Sequence, residues 1–494
     1  MITWGISGNS HDASLAVFSE DSLEFASQAE RFSGVKNDAH LNQKLVDYAL
    51  QWGEPDKVVW YEKPLKKTWR QFRAGQGITL AENNIKKYLQ QWNINAPIKT
   101  VDHHLSHVAG GYYTSQFDDA VVLCIDSIGE FETITVWQGQ GDNLKKIYSQ
   151  NYPHSIGLWY SAMTQRIGLK PNEDEYILMG MAAYGDSRYY RHQIMHDFFE
   201  SIKLPIKFKQ NLHRGCRTWR SELNDDHNFN IAAGTQWVYE TVLENIVEWC
   251  SKNTTSKNIV FMGGCALNCS ANHILLKYFD KAWIMPNPGD SGSAIGAVLA
   301  HKKTHMEFKH AYLGYEIKGE YPVESTVTEL RQMGICGVAN GRAEFGPRAL
   351  GNRSLFADPR GDNIKSKVNN IKRRQQFRPF APAVLSEHYS QQFDGSANSY
   401  MQFTSRCRNP DLYPAITHFD GTSRVQVVEP DGSGIRRLLE HWYAKTGCPM
   451  LLNTSLNIKG KPIVNDVEDA VEFAMKYDVK VFMNDGIGGG IRTP

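Results

Sequence analysis

A strand–turn–strand pattern that occurs twice restricts this chain more than any other feature. Ile2–Ile6, a Gly/Asn/Ser turn and Ala13–Phe18 form one copy. Ala120–Ile125, the turn Asp126-Ser127-Ile128-Gly129-Glu130 and Thr133–Trp137 form the other. Apolar runs broken by such turns read as β-hairpins. Two hairpins, each opening a lobe, predict a duplicated α/β architecture whose turns face one cleft and offer backbone N–H groups to phosphate. A third strand, Asn258–Met262, runs into the turn Gly263-Gly264-Cys265-Ala266-Leu267-Asn268, with a helix expected after it. Pro288-Gly289-Asp290-Ser291-Gly292-Ser293-Ala294 opens another helix that continues through Leu299. Helix starts behind Gly-rich turns bind anions, so Gly263, Gly264, Asn268 and Gly289 are candidate nucleotide contacts.

At 494 residues the chain is too long for one ordinary core, which predicts two domains. The stretch from about His310 to Tyr321, with Gly314, Gly319 and a polar run, is the expected boundary, giving domains 1–312 and 322–494. No apolar run approaches the ~18 residues of a membrane span. Met1–Ile6 reads as a strand rather than a signal peptide, so the expected location is the cytoplasm, with no membrane partner. Eight cysteines, none in a CxxC pair, do not make a disulfide scaffold. Cys265 and Cys269 read as buried thiols rather than metal ligands.

The net charge of +1 gives no general pull toward nucleic acid, but the charge is uneven. Lys203, Lys207, Lys209, Arg214, Arg217 and Arg220 form an acid-free stretch that also holds Phe208 and Trp219. Lys63, Lys66, Lys67, Arg70 and Arg73 surround Trp69 and Phe72. Cations interleaved with aromatics suit a nucleic-acid strand or another polyanion. A solvated face is the plain alternative for either cluster.

Several segments carry chemistry. His103 and His107, four apart, share a helix face and can reach one ion, although such a pair is also common in cores. His11 lies in the first hairpin turn, where a neutral imidazole would serve as a base and a capping role is the alternative. Asn340–Ser354 holds Arg342, Arg348 and Arg353 among glycines and a proline. Arginine forks fit planar anions such as phosphate or a carbamoyl group. Lys372–Pro382, Thr417–Gln426 and Leu452–Asn457 follow it.

In this order the segments resemble the NodU/CmcH family of O-carbamoyltransferases along nearly the whole chain. The resemblance implies an N-terminal duplicated actin/sugar-kinase-like (Kae1-like) domain and a smaller C-terminal YrdC-like α/β domain. It implies a divalent metal on His103, His107, Asp126 and Asp290. Two imidazoles with two carboxylates favour Fe2+ or Mn2+, with Zn2+ or Mg2+ as alternatives, and His104 is a non-ligand. The family pattern HHxxHA is matched only in part, because Val108 precedes the alanine. His11 takes the place of the family's proposed base. Arg348 and Arg424 fit as forks on phosphate or carbamate, Lys372 as a point charge and Ser455 as a hydroxyl donor. Arg342, Arg353 and Arg378 are expected to be structural. Gln28–Lys36 resembles the family's EERFSRxKH segment but departs at Gly34 and Asn37. Asp174–Gly185 resembles DEYKVMxLAxYG with Ile177 in place of lysine.

The activity so implied is ATP-dependent O-carbamoyl transfer. Carbamoyl phosphate yields carbamoyl-adenylate, which passes its carbamoyl group to an acceptor hydroxyl. The acceptor is a natural-product or small-molecule alcohol, or a hydroxymethylated pyrimidine in DNA, and a homodimer is the family-based expectation. Two other classes stay open. Threonylcarbamoyl transfer to tRNA uses related domains, but Gly346–Ser354 follows the carbamoyltransferase pattern. A non-catalytic actin-like nucleotide module would need neither the histidine pair nor the converging arginines.

Overall fold

The computed structural model describes residues 1–77, 79–361 and 363–484. It divides into two compact units, Met1–Ala29 with Asn37–Lys309, and Glu30–Lys36 with the chain from His310 onward. The first contains two five-stranded sheets. One has the order β3-β2-β1-β4-β5, from Ile2–Ser7 (β1), Ser14–Ser19 (β2), Ser22–Gln28 (β3), Lys57–Trp60 (β4) and Ile98–Thr100 (β5). Asp119–Gly129 (β6), Glu132–Gln140 (β7) and Asn143–Asn151 (β8) form the other sheet with two later strands. Phe199–Ser201 (β9) and Lys207–Phe208 (β10) pair apart, and Asn258–Met262 (β11) and Lys281–Trp283 (β12) complete the order β8-β7-β6-β11-β12.

The two sheets repeat one plan. In each, three strands form an antiparallel meander, and the first of them pairs in parallel with the fourth, which pairs in parallel with the fifth. Both expected hairpins are present. The second differs in detail, because β6 continues through Asp126 to Gly129 after a register shift beyond Ile125. After Gly263 a 3-10 turn, Gly264–Leu267, comes first, and the helix that follows is short, Leu275–Tyr278.

Two helices bring the repeats together. His103–Tyr112 follows β5 yet packs on β6 and β11, while Ser293–Lys302 follows β12 yet packs on β1 and β4. Both are almost entirely buried, as their small and apolar sequences require. They cross at Gly110 and Gly296, where a Cβ on Gly296 would lie 1.8 Å from the Ser106 carbonyl oxygen. Close crossing sets His103 and His107 beside the start of the second helix, where Asp290 sits.

The second unit is built on a six-stranded sheet. Its order is Gln426–Val428, Ala381–Leu385, Met450–Ser455, Arg353–Ala357, Ile335–Ala339 and Val481–Phe482. Amphipathic helices such as Val323–Met333 and Gly434–Thr446 bury Leu330, Leu438, Leu439 and Trp442 in its core. Ser433 caps the latter by accepting from the Arg436 N–H, and Gly447 ends it at φ 68°. The expected boundary between 312 and 322 is itself folded. Tyr312–Ile317 is a strand of this unit, antiparallel to Gly341–Glu344, so the chain leaves the first unit at Lys309. The segment Glu30–Lys36, expected in the first domain, also belongs to the second unit, and the expected end at 494 lies outside the described residues. Among the described residues no helix is long and apolar enough to cross a membrane.

The helix crossing leaves no room for a side chain. Gly296→Val should lower the free energy of unfolding by roughly 1–3 kcal/mol or more. Gly180→Ala, whose Cβ would meet nothing within 4 Å, is the control and should be neutral or stabilising. Urea denaturation checks both, and equal stability of the two variants would contradict the crossing.

Candidate metal and transfer site

Four side chains from three parts of the first unit converge: His103, His107, Asp126 and Asp290. His103 and His107 sit on one face of their helix with Nε2 atoms 3.1 Å apart. Asp126 Oδ2 and Asp290 Oδ1 are each 3.5 Å from His103 Nε2, and Asp290 Oδ1 is 3.3 Å from His107 Nε2. Donors held about 2.1 Å from one ion stand about 3.4 Å apart at tetrahedral angles. These spacings fit that arrangement, and the N2O2 donor set fits a first-row divalent ion.

Neighbouring groups fix the orientation of the donors. His107 Nδ1 donates to the Pro288 carbonyl at 3.1 Å, which leaves the Nε2 lone pair facing the centre. Asp126 Oδ1 accepts the Gly264 N–H at 3.0 Å, which turns Oδ2 inward. Gly129 is obligatory here, because a Cβ would lie 2.1 Å from the His103 ring. His104 points elsewhere, with Nδ1 3.0 Å from the Thr135 hydroxyl, as expected for a non-ligand.

The electrostatics call for a cation. Burial pushes His103 toward its neutral form, but Asp290 and Asp126 outweigh it and hold the ring protonated well above its ordinary range. Burial raises Asp290, yet the two imidazoles outweigh it and hold that carboxyl well below the usual range. A proton on His103 therefore supplies the positive charge that a bound ion would supply instead.

His11 lies in the turn between β1 and β2, its Nδ1 3.0 Å from Asp12 Oδ2. Asn9 and Asp12 adopt left-handed backbone at φ 61° and 49°, which these two residue types tolerate. The hydrogen bond to Asp12 raises His11 to about 9, against the opposing effect of burial. The expected neutral imidazole therefore requires loss of a proton that Asp12 helps to hold. The ring is cationic near neutral pH, and Asp12 holds Nδ1 so that Nε2 is the nitrogen left to exchange a proton.

The sequence reading missed how this turn is held. Lys67 is buried, bonded to Glu62 Oε1 at 2.6 Å and to the Asn9 carbonyl at 3.1 Å. Arg70, also buried, donates from Nε to the Glu130 carbonyl at 3.1 Å, and burial lifts the Glu130 carboxyl to about 7. Lys67 and Arg70 are therefore not part of a solvated cationic face. In the same helix, Pro64–Arg73, Trp69 and Phe72 are about half exposed and stack 5.8 Å apart.

The nucleotide contacts need revision. The Gly263 N–H bonds the Pro288 carbonyl at 2.9 Å and the Gly264 N–H bonds Asp126, so neither N–H is left for phosphate. Asn268 exchanges hydrogen bonds with Gln236 at 3.0 and 3.1 Å. Gly289 faces open space, with nothing within 4 Å of where a Cβ would stand. In Lys203–Arg220 the aromatics point inward. Phe208 packs 4.5 Å from Phe199, and Trp219 donates to Asp197 at 3.0 Å.

In the second unit the four expected motifs meet. Asn453 Nδ2 donates to the Ala349 carbonyl and to Gln426 Oε1, and Gln426 Nε2 donates to the Leu350 carbonyl. These bonds tie the loop of Arg348 to the strand of Ser455 and to Gln426, two residues after Arg424. Arg348 and Arg424 are half-buried, and Arg424 Nε has no hydrogen-bond partner among the described residues. Lys372, expected as a point charge on phosphate, has its ammonium engaged by the protein. It is buried and donates to the Ser455 carbonyl and hydroxyl and to both oxygens of Asn457. Burial, with Arg374 and Arg378 nearby, pushes its ammonium well below the usual lysine range. Arg353 is structural, donating to the carbonyls of Asn465, Asn340, Gly341, Asn352 and Tyr315. Arg342 likewise donates to Leu313 and Gly314 carbonyls.

Known proteins show the same two parts. The family described as Carbamoyltransferase N-terminus matches residues 70–299, and Carbamoyltransferase C-terminus matches 327–487. An uncharacterized protein of Synechocystis sp. is 31% identical, covering 96% of this chain and 94% of its own. Nodulation protein NolO of Bradyrhizobium diazoefficiens is 30% identical over 77% of each. The 3'-hydroxymethylcephem-O-carbamoyltransferase of Amycolatopsis lactamdurans is 26% identical over 93% of this chain and 94% of its own. The chain belongs to the NodU/CmcH family of carbamoyltransferases and is a transferase enzyme.

The His11–Asp12 pair has a direct test. In metal-free protein, Asp12→Asn should bring the His11 titration, followed by NMR, from about 9 toward the ordinary 6.5. Because the folded value is the raised one, the pair's contribution to stability is fully present below about 6.5 and fades as pH rises through about 9. With the His11 side chain 40% exposed, solvent screening keeps that contribution small. An unmoved titration would show that Asp12 does not hold the ring.

Proposed function

We propose that the enzyme transfers a carbamoyl group from carbamoyl phosphate to an acceptor hydroxyl through carbamoyl-adenylate, at the expense of ATP. The carrying observation is the buried centre of His103, His107, Asp126 and Asp290 beside the His11 turn. The reading assigns the first unit to a Kae1-like domain and the second to a YrdC-like domain. The repeated sheet order of the first unit supports it.

In the second unit water hydrolyses carbamoyl phosphate, its oxygen replacing the bond that breaks, to give carbamate and inorganic phosphate. A carbamate oxygen then forms a bond to the α-phosphorus of ATP as pyrophosphate leaves. Arg348 and Arg424 bind the anionic oxygens, Lys372 holds the Ser455–Asn457 turn in place, and the Ser455 hydroxyl donates to the substrate on giving up its bond to Asn457 Oδ1 at 2.6 Å. In the first unit the acceptor oxygen attacks the carbamoyl carbon, and the bond to AMP breaks. His11 Nε2, once deprotonated, takes the hydroxyl proton while Asp12 steadies the imidazolium. Gly289 admits the nucleotide phosphate closely, and Asn268 offers the second N–H of its amide, the first being held by Gln236. A divalent ion, Fe2+ or Mn2+ before Zn2+ or Mg2+, would supply positive charge against the phosphate and the transferred carbonyl.

The acceptor hydroxyl is assigned to a polyanion, with a hydroxymethylated pyrimidine in DNA as the case to test and a small-molecule alcohol as the alternative. Lys203, Lys207, Lys209, Arg214 and Arg217 stay exposed, which supports the former. Their inward-facing aromatic neighbours argue against base stacking on that stretch, and the Trp69–Phe72 pair is the better platform.

Turnover should require both carbamoyl phosphate and ATP and release AMP and pyrophosphate, read by chromatography of the nucleotides. ADP and phosphate as the sole nucleotide-derived products would sink the adenylate route. Labelled carbamoyl groups should enter hydroxymethylcytosine-containing DNA and not unmodified DNA. Labelling of small alcohols alone, insensitive to salt, would leave the polyanion assignment without support.

A further inference from the structure

Arg31, in the segment Glu30–Lys36 of the second unit, takes no part in the chemistry above. Its side chain is 1% exposed. Nη2 donates to the Gly346 carbonyl at 2.8 Å, two residues before Arg348. Nε lies 3.8 Å from Glu30 Oε1, beyond hydrogen-bond reach. Nε and Nη1 are buried with no hydrogen-bond partner among the described residues. Arg353, in the same neighbourhood, shows the satisfied alternative, with its donors all seated on carbonyls.

Two residues before Gly346 lies the complementary anomaly. Glu344 Oε1 accepts the N–H groups of Leu350, Asn352 and Arg353 at 2.7, 2.9 and 3.3 Å. Glu344 Oε2 is buried with no partner. Arg31 feels this carboxylate, since Glu30 and Glu344 oppose the lowering of its basicity by burial. Unpaired ionic atoms are costly to bury, and a native fold keeps few of them without a reason.

A ligand that relieves both residues must accept from Arg31 and donate to Glu344. Phosphate at neutral pH offers acceptors almost exclusively. A carbamoyl group offers a carbonyl oxygen and an NH2 on one planar unit, which matches a guanidinium fork beside a carboxylate. We propose that Arg31 and Glu344 bind the carbamoyl end of carbamoyl phosphate. Arg31 donates to the carbonyl oxygen, and Glu344 Oε2 accepts from the amine. The assignment rests on carbamoyl phosphate being the donor, and it gives the N-terminal segment a substrate contact in the second unit.

Equilibrium binding to the full chain tests it, with carbamoyl phosphate and inorganic phosphate as separate probes. Arg31→Met should weaken carbamoyl phosphate about tenfold or more and phosphate by less than about threefold. Glu344→Gln, which keeps the Oε1 acceptor, should show the same selectivity. Thermal unfolding of Arg31→Met should occur at the same or a higher temperature, because an unpaired buried charge has gone. Lower thermal stability with unchanged affinity would make Arg31 structural and overturn the proposal. Equal loss for both probes would place the phosphate end there instead and overturn it too. Should Arg31→Met not fold, Arg31→Lys and Glu344→Gln carry the same comparison. Wild-type protein that fails to bind carbamoyl phosphate would sink the donor assignment itself, whereas wild-type binding with unaffected variants sinks only the role of these two residues.

Discussion

Two carboxylates and two imidazoles meet within 4.8 Å of one another inside the first unit, and much of that unit is arranged so that they can. Bringing like-charged carboxylates together away from water is unfavourable unless positive charge joins them. The helix crossing at Gly110 and Gly296, the vacancy kept at Gly129, the N–H of Gly264 and the carbonyl of Pro288 all act on this one place. Each sets a donor's position or its free lone pair. Glycine turns that resemble phosphate cradles in the sequence turn out to orient the carboxylate of Asp126.

The His11 turn is attached to the same framework. Lys67 fastens its backbone at Asn9, and Arg70 from the same helix fastens the Glu130 end of the second hairpin. One helix thereby links the two repeated hairpins, which puts the proton-handling residue and the Asp126 donor under shared restraint. The second unit uses hydrogen bonds between motifs to similar effect, with Asn453 and Gln426 joining loops far apart in sequence.

What the sequence made legible was what depends on local spacing. Strands β1, β2 and β11, the helix carrying His103 and His107, and the helix after Asp290 follow from period and turn residues within a few positions. The four converging donors were named through the family resemblance, and the histidine spacing alone supplied two of them. The parts that escaped depend on partners far along the chain. Nothing near Gly263 or Gly264 in sequence announces that Pro288 and Asp126 take their N–H groups. Nothing near residue 315 shows that a polar, glycine-bearing stretch pairs as a strand with Gly341–Glu344. Lys67 and Arg70 read as members of a cationic face because composition cannot reveal burial against distant carboxylates and carbonyls. The raised basicity of His11 has a nearer source, the adjacent Asp12, whose effect depends on a turn geometry that holds the two side chains 3.0 Å apart.

The account turns on the four donors sharing one ion in place of the proton on His103. Anomalous diffraction at the absorption edge of the metal, from crystals of the metal-loaded protein, tests this most directly. A single strong peak about 2.0–2.2 Å from His103 Nε2, His107 Nε2, Asp126 Oδ2 and Asp290 Oδ1 is the predicted result. A metal-loaded crystal with no peak there, or with its peak on His104 or on other side chains, would contradict it.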